Sequence, residues 1–308
     1  MDCPKSFRRY PELEKKVKGV LRYGELLSLH TTFRLGGPAE VFIIPSCMEE
    51  VWEISDFAKK MNLSFYVMGM GSNLLISDEG LQGIVVKIAQ PMDDIEFTEN
   101  SIIAGAGVRC AQLIAHCIRQ GRESFDFMAG IPGTLGGAVA MNAGTQGQSI
   151  GDRLRSAWIY DRKLQKWTQF RQNDFCFSYR KSILSNMDRW IVLQMDLQVG
   201  ISNPDEEIIK VRKNLYARKL AQPLQYANAG CIWKNPPGKA TGKLIQDLGL
   251  KGYSHGNAMI SHEHANFIIH HGKADANDVF RLILKVEEQV EKKYGIILDR
   301  EIKILGKF

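Results

Sequence analysis

Residues 129–144 read AGIPGTLGGAVAMNAG: five glycines and four alanines around a single proline, with no formally charged side chain. Glycine loses more chain entropy on folding than any other residue. A cluster of them therefore marks places where φ must be positive or where something touches bare backbone. Uncharged loops rich in N–H groups suit a phosphate or diphosphate, which accepts several backbone donors at once. A second such loop, Gly69-Met70-Gly71-Ser72-Asn73, lies just after the apolar run Phe65-Tyr66-Val67-Met68. A third, Ala104-Gly105-Ala106-Gly107, leads into an expected helix. Three glycine-rich turns following strands point to a large phosphate-bearing cofactor draped over loops.

Around these loops the periodicity alternates between two kinds. Ser46 followed three residues later by Glu49 reads as a capping box, after which Val51, Ile54, Phe57, Ala58 and Met61 recur at helical spacing. Apolar segments at 41–44, 65–68 and 84–88 flank that helix as strands, giving a small α/β unit over residues 1–90. Residues 102–104, a helix over 111–119 and residues 158–160 continue into a second unit over 91–201. There Ile191, Leu193, Met195, Leu197 and Val199 alternate with Val192, Gln194, Asp196 and Gln198. Such a pattern predicts an antiparallel strand with one wet face. Ser202-Asn203-Pro204-Asp205 starts a helix running over 208–220, with proline near its first position. A third part, 202–308, ends in a long helix over 278–294 whose face carries Val279, Leu282, Ile283, Val286 and Val290, stopped by Gly295. The class is α+β, with a last strand free to pack back on the first part.

The chain has 308 residues, 44% of them hydrophobic and 24% charged, enough for two or three packed domains. No run approaches the roughly 20 apolar residues of a membrane span. The polar N-terminus has no apolar signal core, so a cytoplasmic protein is expected. A formal net charge of +6 is spread without a basic arm or aromatic stripe, which gives no support to nucleic-acid binding. The six cysteines (Cys3, Cys47, Cys110, Cys117, Cys176, Cys231) form no C-x-x-C pair and no zinc spacing, so buried thiols are the default. Ser261-His262-Glu263-His264 and His270-His271 cluster, but H-E-x-x-H is absent and no metal is expected.

Five motifs in order, GMGSNLLISDEG (69–80), AGIPGTLGGAVAMNAG, FSYRKS (177–182), GCIWKNP (230–236) and DREIKILG (299–306), resemble the UDP-N-acetylenolpyruvoylglucosamine reductase family. The resemblance runs from His30-Thr31-Thr32-Phe33-Arg34-Leu35-Gly36-Gly37 to the end, and the length is similar to the family's shorter form, without its inserted tyrosine loop. It implies a two-subdomain FAD-binding domain of the vanillyl-alcohol-oxidase type, plus a C-terminal α+β substrate-binding domain. A Rossmann fold is not implied, since no G-x-G-x-x-G opens a long helix. By resemblance, non-covalent FAD would rest on Gly69, Met70, Gly71, Ser72, Asn73 and Leu74, and on Gly130, Ile131, Pro132, Gly133, Thr134, Gly136 and Gly137. Arg34 and Gly107 would join them, with Asn142 and Gly144 nearer the flavin. Ordinary turns are the alternative reading of each loop.

The implied reaction is the NADPH-dependent reduction of a UDP-sugar enolpyruvyl ether, in peptidoglycan precursor synthesis. Hydride addition to the terminal carbon leaves an enolate beside the carboxylate, which needs preorganised donors and a proton. Arg180 matches the family's arginine, a planar fork suited to a carboxylate, with Tyr179 beside it as a substrate contact. Glu301 matches the family's glutamate, useful beside an enolate if protonated or hydrogen-bonded into a relay. The departure is Cys231, where the family reads serine in Gly-Ser-x-Phe-Lys-Asn-Pro. The proton-donor role carries over to the thiol, which at a reference pKa of about 8.5 is a stronger acid than a hydroxyl. Beside Arg180 or Lys234 it would also be prone to ionise and oxidise.

Lys234 and Asn235 in the motif are candidate substrate contacts, and Lys181, Lys239 and Lys243 are further candidates for the diphosphate, against a solvated face for each. His264 matches a structural histidine of the family. The expected protein is a monomer whose partners are small molecules. An oxidase of the same flavin fold and a non-catalytic flavin-binding protein are the competing readings. Arg180, Cys231-x-x-Lys234 and Glu301 together favour the reductase over the oxidase, and Arg180 and Glu301 argue against the non-catalytic reading.

Overall fold

The computed structural model describes residues 7–89, 92–145, 147–185 and 189–308; Cys3 and the rest of the polar N-terminal stretch 1–6 lie outside the described residues. Helices and strands mix along the chain, as an α+β fold requires. The chain divides into two compact units. The first comprises Met1–Glu25, Glu40–Met70 and Gln82–Tyr216, the second Leu26–Ala39, Gly71–Leu81 and Ala217–Phe308.

The first unit holds two larger sheets besides the short pair Gly144–Thr145 with Gln148–Ser149. Four strands are hydrogen-bonded in the order Val20–Leu26, Pro38–Ile44, Leu81–Lys87, Phe65–Met68. The helix Met48–Lys60 buries Val51, Ile54, Phe57 and Ala58 into the same apolar core as Val41, Ile43, Ile84 and Val86, as its period requires. The expected capping box is displaced by one residue. Cys47 is the N-cap, and Ser46 pairs with Glu50, donating from its backbone at 2.9 Å and from Oγ at 2.6 Å. Glu50 also accepts from the Lys18 and Gly19 amides, at 2.8 and 3.3 Å. Burial pushes its carboxyl up, but these donors outweigh burial and leave it below the usual carboxylate range. The local motif yields to the bond that also ties down the chain entering the first strand.

Five antiparallel strands form the other sheet, in the order Lys166–Arg171, Leu154–Asp161, Trp190–Gln198, Ser101–Gly105, Ile95–Phe97. The alternation read over 191–199 is the register seen in Trp190–Gln198. Ile191, Leu193, Met195 and Leu197 are buried, Gln194 and Asp196 are half-buried and Gln198 is exposed. The other face is wet at one end only. Val192 is buried there, because a Cβ on Gly136 would stand 3.4 Å from its Cγ1, so the helix Leu135–Met141 lies over it.

In the second unit the helix Ala276–Tyr294 places Val279, Leu282, Ile283, Val286 and Val290 in an apolar cluster with Ala258, Ile260 and Ile268 of the small antiparallel sheet Ser254–His255, Ala258–Ile260, Ile268–His270. Gly295 ends the helix at φ 64°, the left-handed cap read from the sequence. The strand Lys303–Leu305 pairs in parallel with Leu74–Ile76. Among the described residues no helix is long and apolar enough to cross a membrane.

Candidate functional site

Within the first unit Gly69, the start of one glycine segment, meets the other two. A Cβ on Gly69 would stand 2.3 Å from Thr134 Oγ1, which joins the first segment to the longest. The Gly136 amide donates to the Ala106 carbonyl at 3.0 Å and the Leu135 amide to the Val108 carbonyl at 2.8 Å, which joins the longest to the third. Gly107 passes between the Ala89 and Met92 carbonyls, where a Cβ would stand 2.5 and 2.6 Å from their oxygens. Glycine is thus required at positions 69 and 107 by packing. The longest segment follows the 3-10 turn Asp126–Met128 rather than a strand, which corrects that part of the sequence reading. Thr134 caps Leu135–Met141, its Oγ1 accepting from the Gly137 amide at 3.5 Å.

The chemistry of the donor set in this cluster fits a diphosphate. Between 129 and 144 the polar groups are backbone amides and the Thr134 and Asn142 side chains, with no carboxylate among them. Gly130 and Gly133 sit at φ 75° and 151°, and Gly71 at 63°, conformations open to glycine and strained for other residues. Gly130 and Pro132 are exposed, so the rim of the loop is accessible.

Asn142 closes the helix at φ 46°. Its Oδ1 accepts from the Gly151 amide and its Nδ2 donates to the Ser178 carbonyl, both at 3.0 Å. That second bond fixes the FSYRKS turn beside the glycine segment. Ser178 and Lys181 exchange backbone hydrogen bonds at 3.0 and 3.1 Å, leaving Tyr179 and Arg180 at the corner. Arg180 carries φ 53°, left-handed backbone that a branched or long side chain rarely adopts, and such positions concentrate at functional sites. Its guanidinium donates to the Gly144 carbonyl at 2.6 Å and the Asn142 carbonyl at 3.4 Å, and lies 5.4 Å from the Tyr179 ring centroid. Gly144 is itself forced: a Cβ there would stand 1.9 Å from the Gln148 carbonyl oxygen. The geometry brings Arg180, Tyr179, Asn142 and Gly144 together.

The second unit brings the segments that carry Cys231 and Glu301 side by side. The Ile232 carbonyl accepts from the Glu301 and Ile302 amides at 2.8 and 3.2 Å, and Trp233 bridges to Arg300. Asn266, buried at 2%, fastens the other edge. Its carbonyl accepts from the Ile232 amide at 2.9 Å, its Oδ1 from the Trp233 amide at 2.9 Å, and its Nδ2 donates to the Trp233 carbonyl at 2.8 Å. Glu287 accepts from Trp233 Nε1 at 2.9 Å and from both arms of Arg300 at 2.7 and 2.6 Å. The sequence reading missed Asn266 and Glu287, because neither lies within a motif; the arginine in DREIKILG was the one visible sign of an acid partner. Gly230, at φ 77°, turns the chain just before Cys231, which is half-buried and in no disulfide.

Asn73 Nδ2 donates to the Glu301 carbonyl at 3.0 Å, and Leu74 enters the parallel pair with Lys303. Arg34 stands exposed at a turn, at φ 56°. Lys234 Nζ pairs with Asp299 at 2.7 Å, so its charge is matched by that carboxylate. Asn235 Oδ1 accepts from the Thr241 amide at 3.0 Å, and Lys243 pairs with Asp247 along its helix at 2.8 Å.

Among the described residues no group of three or more His, Cys, Asp and Glu is placed to hold a metal ion. His270 lies buried between the Phe33 carbonyl, 2.6 Å from Nε2, and the Gly272 amide, which donates to Nδ1 at 3.0 Å. His264 Nδ1 accepts from the Asn266 amide at 3.2 Å, and burial together with Lys251 pulls its pKa down. Burial pushes the Cys110 and Cys117 thiols up to about 12. Buried thiols are therefore the rule at those two positions, whereas Cys176 is exposed and Cys47 half-buried.

Residues 222–305 match the family model described as UDP-N-acetylenolpyruvoylglucosamine reductase, C-terminal domain, and residues 39–161 match an FAD binding domain. The chain is 37% identical over 296 residues to the UDP-N-acetylenolpyruvoylglucosamine reductase of Bacillus subtilis, covering 96% of this chain and 97% of that protein. With the reductase of the same name from Anoxybacillus flavithermus it shares 35% identity over 297 residues, 96% of this chain and 98% of that protein. Among solved structures, UDP-N-acetylenolpyruvylglucosamine reductase from Thermus caldophilus aligns with a TM-score of 0.79 at 32% identity, covering 93% of this chain and all of that one.

Proposed function

This chain belongs to the UDP-N-acetylenolpyruvoylglucosamine reductase family, and from that premise we propose that it reduces UDP-N-acetylglucosamine enolpyruvate to UDP-N-acetylmuramate with NADPH, in cytoplasmic peptidoglycan precursor synthesis. FAD is the cofactor its matched domain implies; when bound, FAD supplies hydride chemistry, accepting from NADPH and delivering to the enolpyruvyl methylene. The amides of Gly130, Gly133 and Thr134 and the 69–74 loop would hold its diphosphate. In this reading residues 1–90 and 91–201 are the two cofactor-binding subdomains and 202–308 is the substrate-binding part.

The remaining chemistry falls to side chains. Hydride addition turns the methylene into a methyl group and leaves an electron pair on the carbon bearing the carboxylate. Arg180 offers that carboxylate a two-armed donor, and its orientation is already set by the Gly144 and Asn142 carbonyls. Cys231 gives its thiol proton to the same carbon, and Glu301 hydrogen-bonds the enolate or the donor. Tyr179, Lys234 and Asn235 contact the substrate around them.

The observation that supports this reading most is the Ile232 carbonyl bonded to the Glu301 and Ile302 amides, which keeps the segments of the proposed donor and the glutamate side by side. Anaerobic flavin absorbance tests it. NADPH is expected to bleach the flavin and the enolpyruvyl substrate to restore it; bleaching without recovery would leave a flavin reductase with another acceptor, and recovery with oxygen alone would favour the oxidase.

A further inference from the structure

Lys87 ends the strand Leu81–Lys87, and its register partner is Met68, the last residue of Phe65–Met68. These two strands are parallel, so both leave the sheet at one edge, the edge where ligands of parallel strands gather. Immediately past it Gly69 abuts Thr134, and Thr134 is bridged to Arg109. The next residue, Cys110, donates from its amide to the Gly133 carbonyl at 3.0 Å. Lys87 and Arg109 are therefore each register or bridge neighbours of residues at the junction of the glycine segments.

The alternation of the strand sharpens the point. Ile84, Val86 and Ile88 belong to the apolar core, so Lys87 emerges on the opposite face with Val85. It is half-buried there, while Arg109 is exposed. Burial, and after it the charge of Arg109, pulls the Lys87 ammonium below the ordinary lysine range. Two cations held within mutual influence beside an uncharged cluster of amides repel one another, and an anion bound at that cluster removes the repulsion.

We propose that Lys87 and Arg109 form a two-cation clamp on the diphosphate of FAD, adding charge to the neutral amides of the glycine segments. The clamp rests on the reading of this unit as the FAD-binding domain. It divides recognition in two: the amides fix the diphosphate's position, and the cations set how tightly it is held and how strongly that depends on salt.

Titration of flavin-free full-length protein with FAD, followed by flavin fluorescence at low and high salt, tests the clamp. Lys87→Met and Arg109→Gln are each expected to weaken FAD binding about ten-fold at low salt, the scale of one charged hydrogen bond. The deficit should shrink as salt rises, and Lys87→Arg should bind within about two-fold of the parent, by retention of charge. Unchanged affinity in the double variant would overturn the clamp alone. So would a deficit indifferent to salt and unrescued by Lys87→Arg, which is the mark of a packing defect. A parent protein that bound no FAD would overturn the clamp and the domain reading together.

Discussion

The side-chain amide of Asn73 donates to the backbone carbonyl of Glu301 at 3.0 Å, and the Lys303 amide returns a bond to the Asn73 carbonyl at the same distance. A residue of the glycine-rich loop thereby fixes both sides of the peptide that carries the proposed acid. Asn73→Ala removes one partly buried hydrogen bond, about 1 kcal/mol of stability. It is expected to lower kcat more than KM, because Glu301 loses its anchor while the binding groups stay. Thermal denaturation and steady-state kinetics on the same preparation check both parts.

At position 231 the expected behaviour follows from thiol chemistry. Cys231→Ala should lower kcat by about 100-fold or more, the usual contribution of a positioned acid. Cys231→Ser should keep most of the activity. A thiolate cannot donate, so parent activity falls as pH rises through the thiol's ionisation. A serine hydroxyl does not ionise in that range, and the alkaline limb of kcat should move upward in Cys231→Ser. An alanine variant as fast as the parent would remove Cys231 from the mechanism.

Gly69→Ala places a methyl group 2.3 Å from Thr134 Oγ1, too close without movement of one loop. Overpacking of this kind costs about 1–3 kcal/mol, and a lower melting temperature with reduced flavin retention is expected. Thr134→Ala in the same chain removes the clashing atom and should recover most of the loss, since the cap it gives up is long, at 3.5 Å.

The acid limit of stability should trace to Glu207, whose side chain is buried at 1% exposure. It accepts from the Ser124 amide at 2.8 Å, from Ser202 Oγ at 2.7 Å and from Lys210 Nζ at 2.7 Å. Burial pushes its carboxyl up, but hydrogen bonds led by Lys210, Ser124 and Ser202 win and bring it down to about 2. A depressed carboxylate stabilises the fold above its unfolded-state pKa, and that contribution is lost as pH falls toward 2. From the size of the depression it is about 3 kcal/mol. Glu207→Gln should therefore cost stability in urea at pH 7, with the gap from the parent closing between about pH 4.5 and pH 2.

What the sequence disclosed and what it hid divide along a physical line. The stripe Val279, Leu282, Ile283, Val286, Val290 was legible because helical periodicity is local, and so was the Gly295 stop. The strand Phe65–Met68 was read to the residue, since a short apolar run ended by glycine has few alternatives. Ser46 misled because Glu49 and Glu50 both stand at capping distance, and only the strand entry at Lys18 and Gly19 selects between them. Asn266, which serves three bonds around Ile232 and Trp233, carries no local signal at all. Its importance comes from a segment 33 residues away in the chain.

The strand Leu74–Ile76 belongs with Lys303–Leu305, and the second unit takes Leu26–Ala39 and Gly71–Leu81 from the first third of the chain. During synthesis those early pieces emerge long before their partners. Leu75 is fully buried in the finished unit, yet the cluster that covers it is drawn mostly from residues after 229. That apolar strand must wait for its partner until residues 303–305 have been made. Residues 217–308 expressed alone would lack it and should not fold, whereas co-expression with the earlier segments should restore protease resistance.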